Sequence, residues 1–170
     1  MKKLIALILS VVLVMSLTAC SGAKTYLSLD KALRNKNYTT QVNVDGSAME
    51  SATKDMKLQN VKSAVSISFA NEEKNSKSSG FVFVFTFKNK NDAVTAFADA
   101  LKMYLSMGAP FKTVESANGK KAIYQDGNTA ITILAQAGNT VVYSSEYWTS
   151  TPKNGIYNDG LGKILEDLGF

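Results

Sequence analysis

Apolar and polar positions change period repeatedly along the chain, and each change predicts an element. Leu4 to Met15 is apolar apart from Ser10. Ser21 to Thr25 reads as a short tether. Leu29, Ala32 and Leu33 then recur at helical spacing, with Ser28 as a cap and Asn35-Lys36-Asn37 as the stop. Tyr38, Thr40, Val42 and Val44 alternate as in a strand, and Asp45-Gly46 is a turn signal. Ala48 to Asn60 fits no single period, although Met49, Ala52 and Met56 suit one helix face. Val61, Val65, Ile67 and Phe69 mark a further strand, and Asn71 to Ser79 is a polar loop.

Phe81 to Phe87 carries the strongest strand signal. Phe81, Phe83, Phe85 and Phe87 face one way; Val82, Val84 and Thr86 face the other. Both faces are apolar, which predicts a central strand covered on its phenylalanine side. Asn91 or Asp92 caps the next helix, in which Val94, Phe97, Ala98, Leu101, Tyr104 and Leu105 share a face. Gly108 and Pro110 stop it. Three hairpin signals follow: Asn118-Gly119, Asp126-Gly127 and Gly138-Asn139. They separate strands at Phe111 to Ala117, Lys120 to Gln125, Thr129 to Gln136 and Thr140 to Trp148. A final helix is capped by Asn158, with Tyr157, Leu161, Ile164, Leu165 and Leu168 on one stripe.

These elements predict an α+β fold: a curved antiparallel sheet, with a four-strand C-terminal meander, packed against two helices. From Phe81 the order is strand, helix, four strands, helix. That order resembles the TATA-binding-protein-like and helix-grip architectures. The resemblance is topological and carries no DNA-binding inference.

Leu17-Thr18-Ala19-Cys20 follows a leader with Lys2 and Lys3 at its start. As a helix, Leu4 to Met15 reaches only ~18 Å, against a hydrocarbon core of ~30 Å. A removed signal fits better than a lasting span. The first residues resemble bacterial lipoprotein precursors, with the tetrad as lipobox. The resemblance implies a diacylglyceryl group on the Cys20 thiol, cleavage before it, and Cys20 as the mature N-terminus. Two or three acyl chains hold a protein durably to a bilayer where one holds marginally. The expected organisation is a signal peptide at 1–19, a lipidated tether at 20–27 and one α+β domain at 28–170. The expected location is the extracytoplasmic face of a cell membrane, held by the lipid on Cys20.

Cys20 is the only cysteine, so no disulfide can form within the chain. The formal net charge is +5, but Lys2 and Lys3 belong to the leader and Arg34 is the sole arginine. Nucleic-acid recognition leans on arginine, so no nucleic-acid partner is expected. The chain has no histidine. It therefore lacks the side chain best suited to proton transfer near neutral pH and the commonest metal ligand.

Candidate chemistry is thin. Ser-x-x-Lys occurs at Ser21/Lys24, Ser28/Lys31, Ser51/Lys54 and Ser150/Lys153. The companion motifs of penicillin-recognising enzymes are absent. Glu72-Glu73 and Glu166-Asp167 read as solvated charge, and Asp126 and Asp159 as turn or cap residues. No calcium-loop spacing is present, and no metal or cofactor is expected. Gly160-x-Gly162 reads as close helix packing.

Tyr143, Tyr147, Trp148 and Tyr157 bracket the last strand and the loop after it. They are the candidate recognition surface, for a protein, peptide or glycan. The competing reading is burial beneath the final helix. The phenylalanine comb likewise lines either a packed core or a ligand cavity under the flanking helices. The functional expectation is a non-enzymatic, lipid-anchored binding module in the cell envelope. The alternative is a self-protection or regulatory lipoprotein that blocks a toxin, phage or extracellular enzyme by protein–protein contact.

Overall fold

The computed structural model describes residues 21–44, 50, 53–54, 56–72, 77–116 and 118–170. The Leu17–Cys20 tetrad, the Asp45-Gly46 turn signal, Met49, Ala52 and Ser51 lie outside the described residues. The chain has an α+β fold built on a seven-stranded antiparallel sheet, with four helices among the described residues. Helix α1 (Ser21–Asn35) precedes β1 (Thr39–Asn43), β2 (Val61–Asn71) and β3 (Ser78–Phe87). Helix α2 (Lys90–Ser106) leads to β4 (Lys112–Ser116), β5 (Gly119–Asp126), β6 (Ala130–Ala137) and β7 (Thr140–Trp148). Two short helices follow, α3 (Ile156–Asp159) and α4 (Leu161–Asp167). The strand order is β1-β2-β3-β7-β6-β5-β4.

Helix α1 begins at Ser21, well before the cap expected at Ser28, so the residues read as a tether are helical. Leu29 and Leu33, one turn apart, are fully buried. The helix stops where Asn37 turns to φ 64° and Tyr38 N–H closes onto the Leu33 carbonyl. Helix α2 is capped by Asn89, not by Asn91 or Asp92. The Asn89 carboxamide oxygen accepts from Asp92 N–H at 2.9 Å, and its amide donates to the Asp92 carboxylate at 2.8 Å.

A register shift in β2 between Val61 and Ser63 corrects another expectation. It moves Val61 to the face opposite Val65, Ile67 and Phe69. The strand β7 hairpin turns at Gly138, whose φ is 56°, between the paired residues Ala137 and Thr140. Gly119 stands in β5, not in the turn. A Cβ there would lie 1.8 Å from the Gln136 carbonyl oxygen.

The sheet carries a core on each face. On one, Ile67, Phe69, Val82, Val84, Ile133 and Val142 meet Leu29 and Leu33 of α1 and Leu161, Ile164 and Leu165 of α4. On the other, Phe85, Phe87, Leu134 and Val141 meet Ala93, Ala96, Phe97 and Ala100 of α2. The final helix was expected to help cover the phenylalanine comb; it lies across the opposite face. Of the four helices among the described residues, α2 is the one that packs on the phenylalanine side, beside Met56 and Leu58. It buries Phe85 and Phe87 and leaves Phe81 and Phe83 half-buried.

Candidate functional site

The β-ladder registers lay out the α2 face row by row, outwards from the edge of the core that α2 covers. One row runs Ser66, Phe83, Tyr143, Leu134, Ala122. The next runs Ser68, Phe81, Ser145, Thr132, Tyr124. A third carries Ala70, Ser79, Tyr147, Ala130 and the exposed acid Asp126. Directly paired residues point to the same side, so each row shares the face.

Aromatic rings form an arc on these rows. Phe81 meets Tyr143 at 5.8 Å between centroids. Tyr143 stacks on Tyr104 of α2 at 5.5 Å and 10°. Tyr104 meets Phe111 at 5.5 Å, and Phe111 meets Tyr124 at 5.8 Å. Phe83 stacks behind Tyr143 at 6.3 Å and 5°. All six rings are partly exposed. The two ends of the arc, Phe81 and Tyr124, flank a hydroxyl pair, Thr132 and Ser145, whose oxygens are 2.9 Å apart. Tyr147, 55% exposed, stands on the next row. Met103 and Met107, at the end of α2, are also exposed. Burial, then the neighbouring Tyr143 hydroxyl, pushes the Tyr104 phenol above its ordinary range. It stays protonated and neutral at any physiological pH. The face is therefore apolar and hydroxyl-bearing, without a charge in its central row.

The four aromatic residues singled out from the sequence do not form one surface. Tyr143 and Tyr147 lie on the α2 face. Trp148 and Tyr157 lie on the other, Trp148 buried and Tyr157 half-buried against the α4 core. Neighbours on a strand point to opposite sides, which separates Tyr147 from Trp148.

Two buried charged residues on the α4 face were not anticipated. Glu146 is fully buried at the far end of β7. Tyr38 O–H donates to Glu146 Oε1 at 2.6 Å, and Leu161 N–H donates to Oε2 at 2.8 Å. Ser78 and Trp148 bring a hydroxyl and an indole N–H beside the same carboxylate and favour its charge. Neither closes a hydrogen bond with it. Burial outweighs these donors and pushes the Glu146 carboxyl above its ordinary range. Every neighbour within reach belongs to the fold itself. A general base needs a substrate proton within about 2.6–3.2 Å, and this carboxylate has no open side to receive one.

Lys121, 5% exposed, donates to Tyr157 Oη at 2.7 Å and to the Phe170 main-chain oxygen at 3.3 Å. Tyr157 donates in turn to Glu166 Oε2 at 2.8 Å. Burial lowers the Lys121 amine from its ordinary value, while Glu166 opposes the shift. The Tyr157 phenol is pushed up to about 12, by burial and then by Glu166. This chain of contacts runs from the core to the surface and pins α4 to the sheet.

The remaining candidates stay apart. Ser28, Lys31, Ser150 and Lys153 are exposed, on α1 and in a loop. Glu72 pairs with Lys77 at the surface at 3.6 Å. Asp159 accepts from Asn154 N–H at 2.8 Å, as a turn residue does. A Cβ on Gly162 would lie 2.4 Å from the Tyr157 ring, so that glycine serves close packing. Among the described residues no group of three acidic, histidine or cysteine side chains could hold a metal ion. Cys20 lies outside the described residues. No protein-family model matches the chain, and no curated protein matches it in sequence.

Proposed function

We propose that the chain is a lipid-anchored binding module on the extracytoplasmic face of a cell membrane, and that it contacts its partner through the open aromatic half of the sheet. The lipobox and leader support the anchor. The observation that carries the binding role is the halt of α2 midway along the sheet. It leaves Phe81, Phe83, Tyr124, Tyr143 and Tyr147 of the sheet partly exposed beside a half-buried hydroxyl pair, with Tyr104, Met103 and Met107 presented by the end of the helix.

The partner is a polypeptide that inserts apolar side chains against the arc. Tyrosine and methionine supply contact area with a hydrogen-bonding rim and some adaptability. The lack of charge in the central row favours such an apolar anchor over an acidic or basic ligand. Enzyme chemistry draws no support from Glu146, since that carboxylate is sealed inside the fold.

A photoreactive amino acid at position 147, in cells, tests the reading. It should trap one polypeptide of the envelope, and the same probe at exposed Lys36 should not. Tyr147→Ala should weaken binding of that partner roughly thirtyfold, as a 2 kcal/mol hot spot does. Equal adducts from both positions, or capture of glycan alone, would remove the proposal. Intact-mass measurement of the native product checks the anchor: a free thiol at Cys20 or a retained leader would contradict it.

A further inference from the structure

A second site lies beside α2, on the side facing β4 and β5. A groove of about 320 Å³ runs along the helix there. Val94, Ala98, Leu101 and Leu105 form its wall at helical spacing, and Lys102 and Lys120 stand at its rim. Val94 and Leu105 are 37% and 49% exposed, high for a stripe that faces a sheet. Gln136 lines the floor, but its amide already donates to the Gly138 carbonyl at 2.7 Å. The floor therefore asks for no polar ligand group. Among the described residues lining the groove none is acidic, and Lys102 makes no ion pair among them.

We infer that this groove binds a free single-chain anionic amphiphile, of which a medium-chain fatty carboxylate is the simplest. The apolar wall takes the hydrocarbon chain, and the rim ammonium of Lys102 takes the anionic head. The volume sits near the lower end of the ~300–1,000 Å³ range of small-molecule sites, which suits one chain and not a diacyl lipid. The inference is independent of the polypeptide partner, because neither Tyr147 nor Tyr143 lines the groove.

Labelling of the full chain with a diazirine-bearing fatty carboxylate tests it. Adducts should map to the α2 residues between Val94 and Leu105 that line the groove and to Thr113 and Lys120. Dodecanoate should compete and dodecyltrimethylammonium should not. Competition should strengthen about fourfold per added methylene until the groove is filled. Ala98→Trp should abolish labelling by filling the space. Lys102→Glu, at an exposed position, should weaken it about tenfold and decides the matter if Ala98→Trp fails to fold. Tyr147→Ala should change nothing. Equal competition by the cationic amphiphile, undiminished labelling of a folded Ala98→Trp or of Lys102→Glu, or labelling only through a vesicle surface would each overturn the inference.

Discussion

Tyr38 and Glu146, 108 residues apart in sequence, are joined by a 2.6 Å hydrogen bond inside the core beneath α1 and α4. Tyr38 lies at the entry to β1 and also meets Phe69 edge-on at 5.2 Å. Glu146 lies on β7 and accepts from the first turn of α4. One carboxylate thus ties the sheet edge, a central strand and the C-terminal helix together. Its energetic sign is less favourable than its connectivity, because an ion is held where water cannot reach it.

Stability should accordingly depend on pH through Glu146. Burial raises its folded value above the ordinary 4.5. The folded chain then holds the proton more tightly than the unfolded chain. This contribution is fully present below pH 4.5 and is lost as pH rises through the higher folded value. The groups facing it, Tyr38, Ser78 and Trp148, stay neutral across that range, and Asp159 acts on Tyr38 at longer reach. Denaturant titrations of Glu146→Gln, compared with the parent chain, should show a flattened pH profile above pH 4.5. Parallel profiles would show that another group carries the dependence. Tyr38→Phe removes one donor from the carboxylate, should cost about 1–3 kcal/mol near neutral pH, and should cost less in acid.

Gly160 is fixed by the same carboxylate. Its backbone is extended, with φ −118° and ψ −150°, so any residue can adopt it. Space is the constraint: a Cβ would stand 2.3 Å from Glu146 Oε2 and 2.8 Å from the Ile156 carbonyl oxygen. Gly160→Ala should therefore destabilise by about 1–3 kcal/mol, measured by thermal or denaturant unfolding. Part of that loss should vanish in a Glu146→Ala background, where the carboxylate is gone and the clash with the Ile156 carbonyl oxygen remains. An additive result would place the strain elsewhere.

Sequence pattern reached the elements whose cause is local and missed those whose cause is a distant residue. The comb from Phe81 to Phe87 and the turn at Gly138 follow from alternation and from a glycine at positive φ. The break between α3 and α4 does not, because it depends on Glu146 reaching Leu161 N–H from another strand. Glu146 itself left a trace. It shares the inward parity of Val142, Ser144 and Trp148, where an acid must find a partner. Lys121 shares the inward parity of Ile123 in the same way. The grouping of Tyr147 with Trp148 failed on that rule too, since adjacency in a strand separates side chains. How far α2 would reach across the face is a tertiary outcome, and it decides which rings stay open.

The comb should divide energetically where α2 ends. Phe85 is 1% exposed beneath the helix, and Phe81 is half-buried beyond it. Phe85→Ala should cost about 3–5 kcal/mol, through lost burial and the cavity left behind. Phe81→Ala should cost closer to ~1 kcal/mol, and Tyr147→Ala less than ~0.5 kcal/mol. Chemical denaturation of the three variants measures the series. A large loss at Tyr147 would mean that it is core, and would withdraw it as a contact residue.

Lys121 and Tyr157 should behave as a coupled pair. The amine lies 5.3 Å from the ring centroid but 2.7 Å from the hydroxyl oxygen. It therefore sits beyond the oxygen at the ring's edge, and the contact is a hydrogen bond, not a cation over a ring face. Tyr157→Phe leaves the buried ammonium with only the Phe170 oxygen as acceptor. That should cost about 1–3 kcal/mol. Lys121→Met removes the charge, keeps the length of the side chain and leaves Tyr157 donating to Glu166. It should therefore be close to neutral. Because burial depresses the lysine, the parent chain should also gain stability as pH rises through the lowered folded value towards 10.5, and Lys121→Met should lack that gain. In the Lys121→Met background, Tyr157→Phe should cost less than ~1 kcal/mol, so the cycle should not close additively. Additive losses would show that the two side chains stabilise the fold independently, and that α4 is held by its apolar face alone.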